Sequence, residues 1–212
     1  MMETLTVARA AFDIEDPWKT PPECAPVRLR RATDATTPRL ATHVAVWFDD
    51  ECLTMLFSAA DDHIAATHFA HDAPLYEEDV VEVFLAPATP NDYYELEVSP
   101  RGTVFDARIH SPDGVRATMQ TDRDWTCRGL MTAVRQIVES DGSISIDTLL
   151  RIPFAAFERA TPEHGETWRA NFFRIDRHPQ LGDEFSAWQP TLREPADFHV
   201  VAAFGALRFG SE

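Results

Sequence analysis

Three carboxylates interrupt two short apolar runs of the sequence and could act together on one ligand. Glu82 lies within Val80–Leu85, and Glu95 and Glu97 alternate with apolar residues in Tyr93–Val98. Two acids that flank a sugar linkage at a fixed separation can hydrolyse it, and carboxylates can also accept hydrogen bonds from sugar hydroxyls. The sequence does not fix the separation of these acids. Both hypotheses therefore stay open, beside the simpler one that the acids lie on an exposed strand face.

Aromatic residues next to polar ones indicate the kind of ligand. Tyr76 ends a polar loop, and Trp188 and Phe198 lie in later segments rich in polar residues. Sugars present flat C–H faces that pack against aromatic rings, while carboxylates, amides and Arg bind the hydroxyls. These rings therefore favour carbohydrate, although each of them could instead fill a gap between two sheets. The tryptophans inside strand-like runs are expected in the core, and they are Trp47, Trp125 and Trp168.

Metal binding is a second kind of chemistry that the residue types allow. His63, His68 and His71 lie close together, but their spacing is not that of a zinc site. Asp49-Asp50-Glu51 and Asp61-Asp62 could supply oxygen ligands to calcium. Asp that bonds its own backbone in a turn is the preferred interpretation of both segments. We therefore predict no certain cofactor and allow a structural calcium ion.

Charge and composition exclude several classes of partner. The chain has 212 residues with 19 Lys and Arg against 35 Asp and Glu, which gives a formal net charge of −16. This charge disfavours nucleic acid and anionic membranes and suits a neutral or cationic ligand. The three cysteines are too few and too scattered for a disulfide framework. The sequence shows no signal peptide and no membrane-spanning run, so we expect a soluble protein whose compartment stays open.

Short strand-like runs separated by turn residues dominate the chain. In one of them, alternation predicts that Tyr94 and Leu96 share one face and that Glu95 and Glu97 share the other. Such runs predict an all-β fold, an antiparallel, jelly-roll-like β-sandwich with short helical turns, as one domain over residues 1–212. The predicted strands are 43–48, 52–59, 80–85, 93–98, 103–109, 130–138, 143–152, 168–175 and 202–209, with a hairpin turn at Ser140-Asp141-Gly142 and a helical turn at 153–157.

Several segments, taken in order, resemble family 9 carbohydrate-binding modules. Val46–Leu53 resembles the family's W-D-D-x-x-L-Y pattern, and Tyr76–Leu85 resembles its W-x-x-D-x-V-E-I-F pattern. Each motif is weak alone, whereas the ordered combination covers most of the chain and is fairly specific. The further matching segments are Trp18, Tyr93–Gly102, Trp168–Ile175, Ser186–Thr191 and Phe204–Phe209.

This resemblance implies a non-catalytic β-sandwich that binds sugars and can act beside glycoside hydrolases. In the family, the reducing end of a β-glucan or xylan chain lies between two tryptophans, and structural calcium is found. The first tryptophan stands six residues before the Glu of the V-E-I-F strand, and the matching residues here are Tyr76 and Glu82. Phe198 is the nearest match to the second tryptophan, with Trp188 as a reserve platform.

The polar partners of a neutral oligosaccharide or chain end follow from the same resemblance. Glu97 stands where one family position carries Arg, so the sequence departs from the family by placing an acid there. The expected hydroxyl partners are Glu82, Glu95 and Glu97 as acceptors and Asn171 and Arg174 as donors.

Two other classes of function stay open. A glycoside hydrolase or lyase would use Glu82 with Glu95 or Glu97, although the sequence contains no recognisable catalytic motif. Sandwiches related to this family can also hold heme between a Met and a His. The candidate heme ligands are Met55 or Met119 with His110.

Overall fold

Strands form nearly all of the regular structure. The computed structural model describes residues 3–138, 140 and 142–210. Within these ranges the helical segments are 3-10 turns of three or four residues, and none has the length and apolar character needed to cross a bilayer. The 3-10 turns are Leu75–Glu77, Arg116–Thr118, Phe154–Phe157 and Val201–Ala203. The strands are β1 (Thr4–Arg9), β2 (Val27–Arg28), β3 (Arg30–Arg31), β4 (Thr42–Phe48), β5 (Cys52–Asp61), β6 (Val80–Ala86), β7 (Asp92–Val98), β8 (Val104–His110), β9 (Gln120–Asp122), β10 (Met131–Val138), β11 (Ile144–Pro153), β12 (Thr167–Asp176), β13 (Glu184–Ala187) and β14 (Gly205–Phe209).

The strands form two layers of a β-sandwich. The first sheet has the order β9-β8-β7-β6-β12, and β14 and β13 pair with successive parts of β12 on its far edge. The second sheet has the order β10-β11-β5-β4, with β2 beside β4. All of these pairs are antiparallel, whereas β1 runs parallel to both β14 and β4. Because β1 pairs with a strand of each sheet, it joins the two layers along one side.

The core between the sheets follows from the two-residue period of a strand. On β6, Val81, Val83 and Leu85 point into this core, where they meet side chains of β4 and β5 such as Val46 and Met55. On β7, Leu96 lies in the same core with Tyr94 packed against it, whereas Glu95 and Glu97 lie on the opposite face, so the alternation predicted for this strand is confirmed. Burying each such side chain stabilises the fold by roughly 1.5–3 kcal/mol.

A second apolar layer covers the opposite face of the first sheet. Phe84 lies 5.0 Å from Phe173 and 5.4 Å from Tyr93 between ring centroids, and Phe204 packs on Tyr93 at 5.2 Å. The chain before β14 supplies this cover, with Phe198 among its buried residues. The first sheet is therefore buried on both sides, except where a pocket opens in the second layer.

The predicted strands are found with small differences at their ends. The chief exception is the last one, because Val201–Ala203 is a 3-10 turn and β14 begins at Gly205. A Cβ atom at Gly205 would lie 2.5 Å from the Trp188 ring, so the close approach of that ring requires glycine here. The hairpin of β10 and β11 is confirmed, whereas Asp141 of its turn lies outside the described residues. The sequence did not predict β1, β9, β13 or the two-residue strands.

Arg174 connects the two sheets through buried polar contacts. Its side chain is 5% exposed and forms an ion pair of 2.8 Å with Asp61 and one of 3.4 Å with Asp176. The guanidinium also donates a 2.6 Å hydrogen bond to the carbonyl of Ala60 and a longer one to Thr42. Arg174 is on β12 and Ala60, Asp61 and Thr42 are on the second sheet, so this side chain ties one sheet to the other.

We expect Arg174→Leu to lower the free energy of unfolding by about 3–5 kcal/mol, because it removes a partner of two buried carboxylates. The measurement is equilibrium unfolding in denaturant. Arg9→Leu is the matched control, since Arg9 pairs with Asp50 on the surface and should cost less than about 1 kcal/mol. Equal losses for the two variants would contradict the role of Arg174.

Candidate functional site

A pocket of about 600 Å³ opens on the covered face of the first sheet. Strands β6, β7 and β8 supply its floor, and the segment 193–199 forms one wall from seven consecutive residues. Tyr76, from the 3-10 turn before β6, lies on another side. The lining residues are Tyr76, Glu82, Glu95, Phe105, Arg116, Met119, Thr121, Arg123, Ile175, Phe185, Arg193, Glu194, Pro195, Ala196, Asp197, Phe198 and His199.

Tyr76 and Phe198 line the same pocket but differ in how much ring they offer. Tyr76 is 41% exposed, and its backbone carbonyl accepts a 2.6 Å hydrogen bond from Arg177. Phe198 is 7% exposed, and it stacks on Phe173 with 4.1 Å between ring centroids. One face of Phe198 is therefore covered, and Tyr76 is the more accessible platform. Phe185 lies 6.0 Å from Phe198 and adds a further ring to the lining.

Glu82, Glu95 and Glu97 come together on the floor because of strand register. Glu82 on β6 lies directly opposite Glu97 on β7, and Glu95 is two residues before Glu97 on the same face. One carboxylate oxygen of each residue lies within 4.8 Å of the others. All three side chains are buried, with Glu97 fully so, although Glu82 and Glu95 still reach the pocket.

The hydrogen bonding of this cluster is incomplete. Oε1 of Glu82 and both carboxylate oxygens of Glu97 receive no hydrogen bond from any residue that the structure describes. A carboxyl–carboxyl hydrogen bond between Glu97 and Glu95 is the contact available to Glu97, and it requires a proton. Two ionised carboxylates at such distances repel each other by roughly 3–4 kcal/mol in a protein-like medium. The cluster therefore needs protons or a cation.

Burial raises the pKa values of all three acids. Burial and then the charge of Glu95 hold the pKa of Glu82 well above its usual value. The pKa of Glu97 is also raised well above its usual value, by burial and then by the charges of Glu82 and Glu95. Burial raises the pKa of Glu95 to about 7. Near neutral pH the floor therefore carries less than its full negative charge in the absence of a positive ligand.

His199 packs beside the acids in an aromatic environment. Its ring lies 5.0 Å from that of Phe84, and its Nδ1 is 2.7 Å from the Tyr93 hydroxyl. Its Nε2 lies 3.8 Å from Oε1 of Glu95. Burial, and then the charge of Arg116, lowers the pKa of His199 to about 4. The imidazole is therefore neutral near pH 7 and does not offset the charge of Glu95.

Cationic groups lie around the rim of the pocket. Arg116 forms an ion pair of 2.9 Å with Asp197, and the guanidinium of Arg123 lies over the ring of Phe105 at 5.4 Å. Arg193 lines the wall next to Glu194. At a rim, guanidinium groups can donate hydrogen bonds to the hydroxyls of a sugar, and the carboxylates paired with them can accept hydrogen bonds from those hydroxyls.

Three residues that the sequence proposes for the site lie elsewhere. The Asn171 side chain donates a hydrogen bond to the carbonyl of Gln189 at 2.8 Å and accepts one from the N–H of Gln189 at 2.9 Å. Its polar atoms therefore bind the backbone of Gln189. Trp188 stacks on Phe172 in the core between the sheets, at 5.1 Å. Arg174 serves the contact between sheets described above. The structure thus brings Tyr76, Phe198, Glu82, Glu95 and Glu97 together and leaves out Asn171, Arg174 and Trp188.

Sequence reasoning missed several lining residues. Arg116, Met119 and Arg123 come from the segment around β9, and Phe185 comes from β13. No motif marks them, because only the pairing of β8 with β9 and of β12 with β13 brings them to the pocket. A signal existed for His199 and its neighbours, since they adjoin Phe198 and the whole run 193–199 lines the wall.

Four of the five acids considered for calcium have internal partners. Asp49 accepts backbone hydrogen bonds from Glu51 and Cys52 at 2.9 Å and pairs with Arg151 at 2.5 Å. Three more of these acids pair with Arg: Asp50 with Arg9, Asp61 with Arg174 and Asp62 with Arg39. These contacts give the acidic segments a structural role in the turns.

The residues considered for zinc or heme are also engaged locally. Nε2 of His68 lies 3.8 Å from Oε2 of Glu77, and Nδ1 of His71 lies 3.0 Å from Oδ2 of Asp72. Met55 is in the core between the sheets, whereas His110 pairs with Asp92 at 2.7 Å on the surface. The sulfur of Met119 is 3.5 Å from the Tyr93 hydroxyl and lines the pocket.

Comparison with known proteins identifies the family and agrees with the sandwich fold. A family model described as carbohydrate-binding family 9 matches residues 32–209, which is most of the chain. The chain belongs to carbohydrate-binding family 9. The matched range of this family 9 protein includes all three floor acids, Tyr76 and Phe198. A search of curated proteins gives no match.

Solved structures show the same fold at low sequence identity. A candidate carbohydrate-binding protein from Bacteroides uniformis has a TM-score of 0.69 and 18% identity, over 99% of this chain and 100% of that one. A family 9 module from Caldicellulosiruptor kristjanssonii in complex with cellotriose has a TM-score of 0.66 and 13% identity, over 99% and 95%. A family 9 module from the same organism in complex with glucose has a TM-score of 0.63 and 12% sequence identity, over 99% of this chain and 97% of that one.

The lowered pKa of His199 predicts a specific pH dependence of stability. Because the folded pKa is about 4 and the unfolded value is 6.5, this residue's contribution is present above pH 6.5 and is lost as the pH falls towards 4. Between pH 7 and pH 5 the free energy of unfolding should fall by about 2 kcal/mol more in the wild type than in His199→Gln. The measurement is denaturant unfolding at both pH values.

The control for this comparison is His164→Gln, which alters an exposed histidine. It should retain the wild-type pH dependence. If His199→Gln also retained it, His199 would not be buried as a neutral ring.

Proposed function

We propose that this protein is a non-catalytic carbohydrate-binding module whose pocket holds a neutral oligosaccharide or the end of a polysaccharide chain. The observation that carries the proposal is the presence of Tyr76 and Glu82 in one pocket. These are the two positions, six residues apart, that the family resemblance connects with sugar binding. The volume of about 600 Å³ lies within the usual range of small-molecule pockets.

Stacking on Tyr76 supplies the apolar part of recognition in this proposal. Tyr76 is 41% exposed and lines the pocket, and burying its ring against the C–H face of a pyranose removes apolar surface from water. Phe198 contributes the part of its surface that Phe173 leaves uncovered. The stacking face is therefore one tyrosine with a supporting phenylalanine, which offers less aromatic area than two tryptophans.

Hydroxyl recognition comes from the floor and the rim. Glu82 and Glu95 accept hydrogen bonds from the floor, while Arg116, Arg123 and Arg193 donate from the rim. Each such bond contributes about 0.5–1.5 kcal/mol net, so a few bonds with one stacking contact give micromolar to millimolar dissociation constants. Asn171 and Arg174 are not part of this proposed set, because their donors are used within the fold.

The structural neighbours suggest which ligands to test. Family 9 modules from Caldicellulosiruptor kristjanssonii are solved with cellotriose and with glucose. Cellotriose, xylotriose and glucose form a first panel, and a cellotriose whose reducing end has been reduced to the alditol tests recognition of the chain end. Isothermal titration calorimetry that shows no binding to any of these sugars, followed by a glycan array without a neutral ligand, would refute the proposal.

Tyr76→Ala should weaken the affinity for the best sugar of this panel at least about tenfold, because it removes the exposed stacking surface. Isothermal titration calorimetry measures the change. Phe69→Ala is the control, since Phe69 is an exposed aromatic of the same region, 74% exposed, that does not line the pocket. An unchanged affinity in Tyr76→Ala would exclude the tyrosine as the platform.

The geometry of the acids argues against a glycoside hydrolase. The two carboxylates of such an enzyme lie on either side of the scissile bond, at about 5–5.5 Å or about 6.5–9.5 Å. Here the three acids form one group on the floor within 4.8 Å, with Glu97 buried behind the other two. The raised pKa of Glu95 is a property that a general acid also needs, so catalysis requires a direct assay.

We expect no turnover of aryl β-glucosides or aryl β-xylosides by the wild type above the rate of Glu82→Gln. The reason is that Glu82, Glu95 and Glu97 form one group on the floor instead of standing on either side of a bound sugar linkage. The measurement is the release of the aryl group, which is followed by absorbance. It is made at the pH at which any activity is highest. A wild-type rate that Glu82→Gln abolishes would favour the hydrolase.

A further inference from the structure

Three other buried acids of the fold have partners of kinds that are missing around the floor acids. Asp61 and Asp176 are paired with Arg174, and Asp79 accepts backbone hydrogen bonds of 2.6 Å from Ala65 and Arg177. By contrast, within the described ranges, no Lys or Arg nitrogen lies within ion-pair distance of the three floor acids, and Nε2 of His199 lies 3.8 Å from Oε1 of Glu95. The described part of the fold thus supplies no Lys or Arg ion pair to the floor.

The unsatisfied oxygens of the floor converge on one point. Glu82 is 2% exposed and Glu97 is fully buried, and Oε1 of Glu82 and both oxygens of Glu97 have no hydrogen-bond donor among the described residues. One oxygen from each of the three acids lies within 4.8 Å of the others. Carboxylate ligands of calcium lie 2.3–2.6 Å from the ion, so oxygens up to about 5 Å apart can share one ion.

We propose that Glu82, Glu95 and Glu97 bind a hard divalent cation, best matched by calcium, on the floor of the pocket. Oxygen ligands from carboxylates are what calcium prefers, and its flexible coordination tolerates three acids from two neighbouring strands. The ion would satisfy the buried oxygens of Glu97 that no protein donor reaches. It would also offset most of the charge that three acids concentrate at one place.

A bare ion fits this site better than a positive group on the ligand itself. Glu97 does not line the pocket and lies behind Glu82 and Glu95, so the amino group of a sugar seated in the pocket would meet only the front two acids. A small ion can lie among all three. The charge of two on the ion also matches the group better than the single charge of an ammonium.

The position of the ion gives it a role in sugar binding, and this role rests on the proposed function. Three acids leave several coordination positions of calcium unfilled, and the open side of the group faces the pocket through Glu82 and Glu95. Two neighbouring hydroxyls of a sugar can occupy such positions in place of water. The ion would then hold the sugar below the Tyr76 ring, and sugar affinity would depend on calcium.

The first test is calcium binding without sugar. Wild-type protein freed of metal with a chelator should bind one calcium ion in a calorimetric titration, and Glu97→Gln should weaken that affinity at least about tenfold, because it removes a ligand of the ion. Asp106→Asn is the matched control. Asp106 is also a buried acid with an unpaired oxygen, in another group with His71 and Asp72, and its variant should bind calcium as the wild type does.

The opposite results would overturn the metal site. These are the absence of a binding signal with calcium, magnesium or manganese, a weaker calcium affinity in Asp106→Asn, or an unchanged calcium affinity in Glu97→Gln. Circular dichroism establishes that each variant is folded. If Glu97→Gln does not fold, Glu82→Gln replaces it, and crystals of the wild type soaked in manganese should show an anomalous peak among the three acids. A peak only at another place would also refute the site.

The second test separates the metal from the sugar. Cellotriose or the best sugar of the panel should bind at least about tenfold more weakly in chelator than in calcium, and Glu97→Gln should bind it weakly in both conditions. Sugar binding that calcium does not change would remove the ion's role in recognition while the proposed function stands. Calcium binding with no affinity for any sugar would refute the proposed function and leave the metal site. If glucosamine bound more tightly than glucose in the absence of calcium, the acids would serve to bind an amino group of the ligand. This result would overturn the proposal.

Discussion

Strand β6 lies between two apolar layers, and this constraint determines where the polar groups of the site can lie. Val81 and Val83 face the core between the sheets, while Val80 and Phe84 face the layer that covers the opposite side. Glu82 is on the second face and is therefore buried except where the pocket opens. A buried carboxylate costs free energy unless a partner compensates it, so Glu82 requires a ligand, a proton or a cation beside it.

The pocket combines a rigid floor with walls from irregular chain. Hydrogen-bonded strands fix Glu82, Glu95 and Glu97 relative to one another, and their register leaves little freedom in the distances between the acids. The walls come from the segment 193–199 and from the turn with Tyr76, where no ladder of backbone hydrogen bonds fixes the side chains. Such walls tolerate a change of aromatic residue while the floor stays in place, because surface segments vary without cost to the core.

The floor departs from the family resemblance at one position, whereas the fold is shared with neighbours of low sequence identity. Neighbours at 12–18% identity align over nearly the whole chain, so few side chains are needed to keep the sandwich. Glu97 is an acid where the family resemblance places Arg, and this change turns a floor of mixed charge into one of three acids. Arg at that position would have neutralised Glu82 directly opposite it, since the two residues are cross-strand partners. In the proposed site a bound cation takes over that neutralisation, and the formal net charge of −16 favours the approach of a cation.

Sequence alone determined the fold class, most strands and the family, because alternation of apolar residues and ordered motifs are properties of neighbouring residues. It also found the acids and Tyr76, which lie in two of the segments that resemble the family. Only the tertiary structure decided that Glu82 and Glu97 face each other, that Trp188 belongs to the core and that Arg174 ties the sheets together. These facts depend on strand register and on the layer that covers the first sheet. Both arise from contacts between residues far apart in the chain, which no local pattern records.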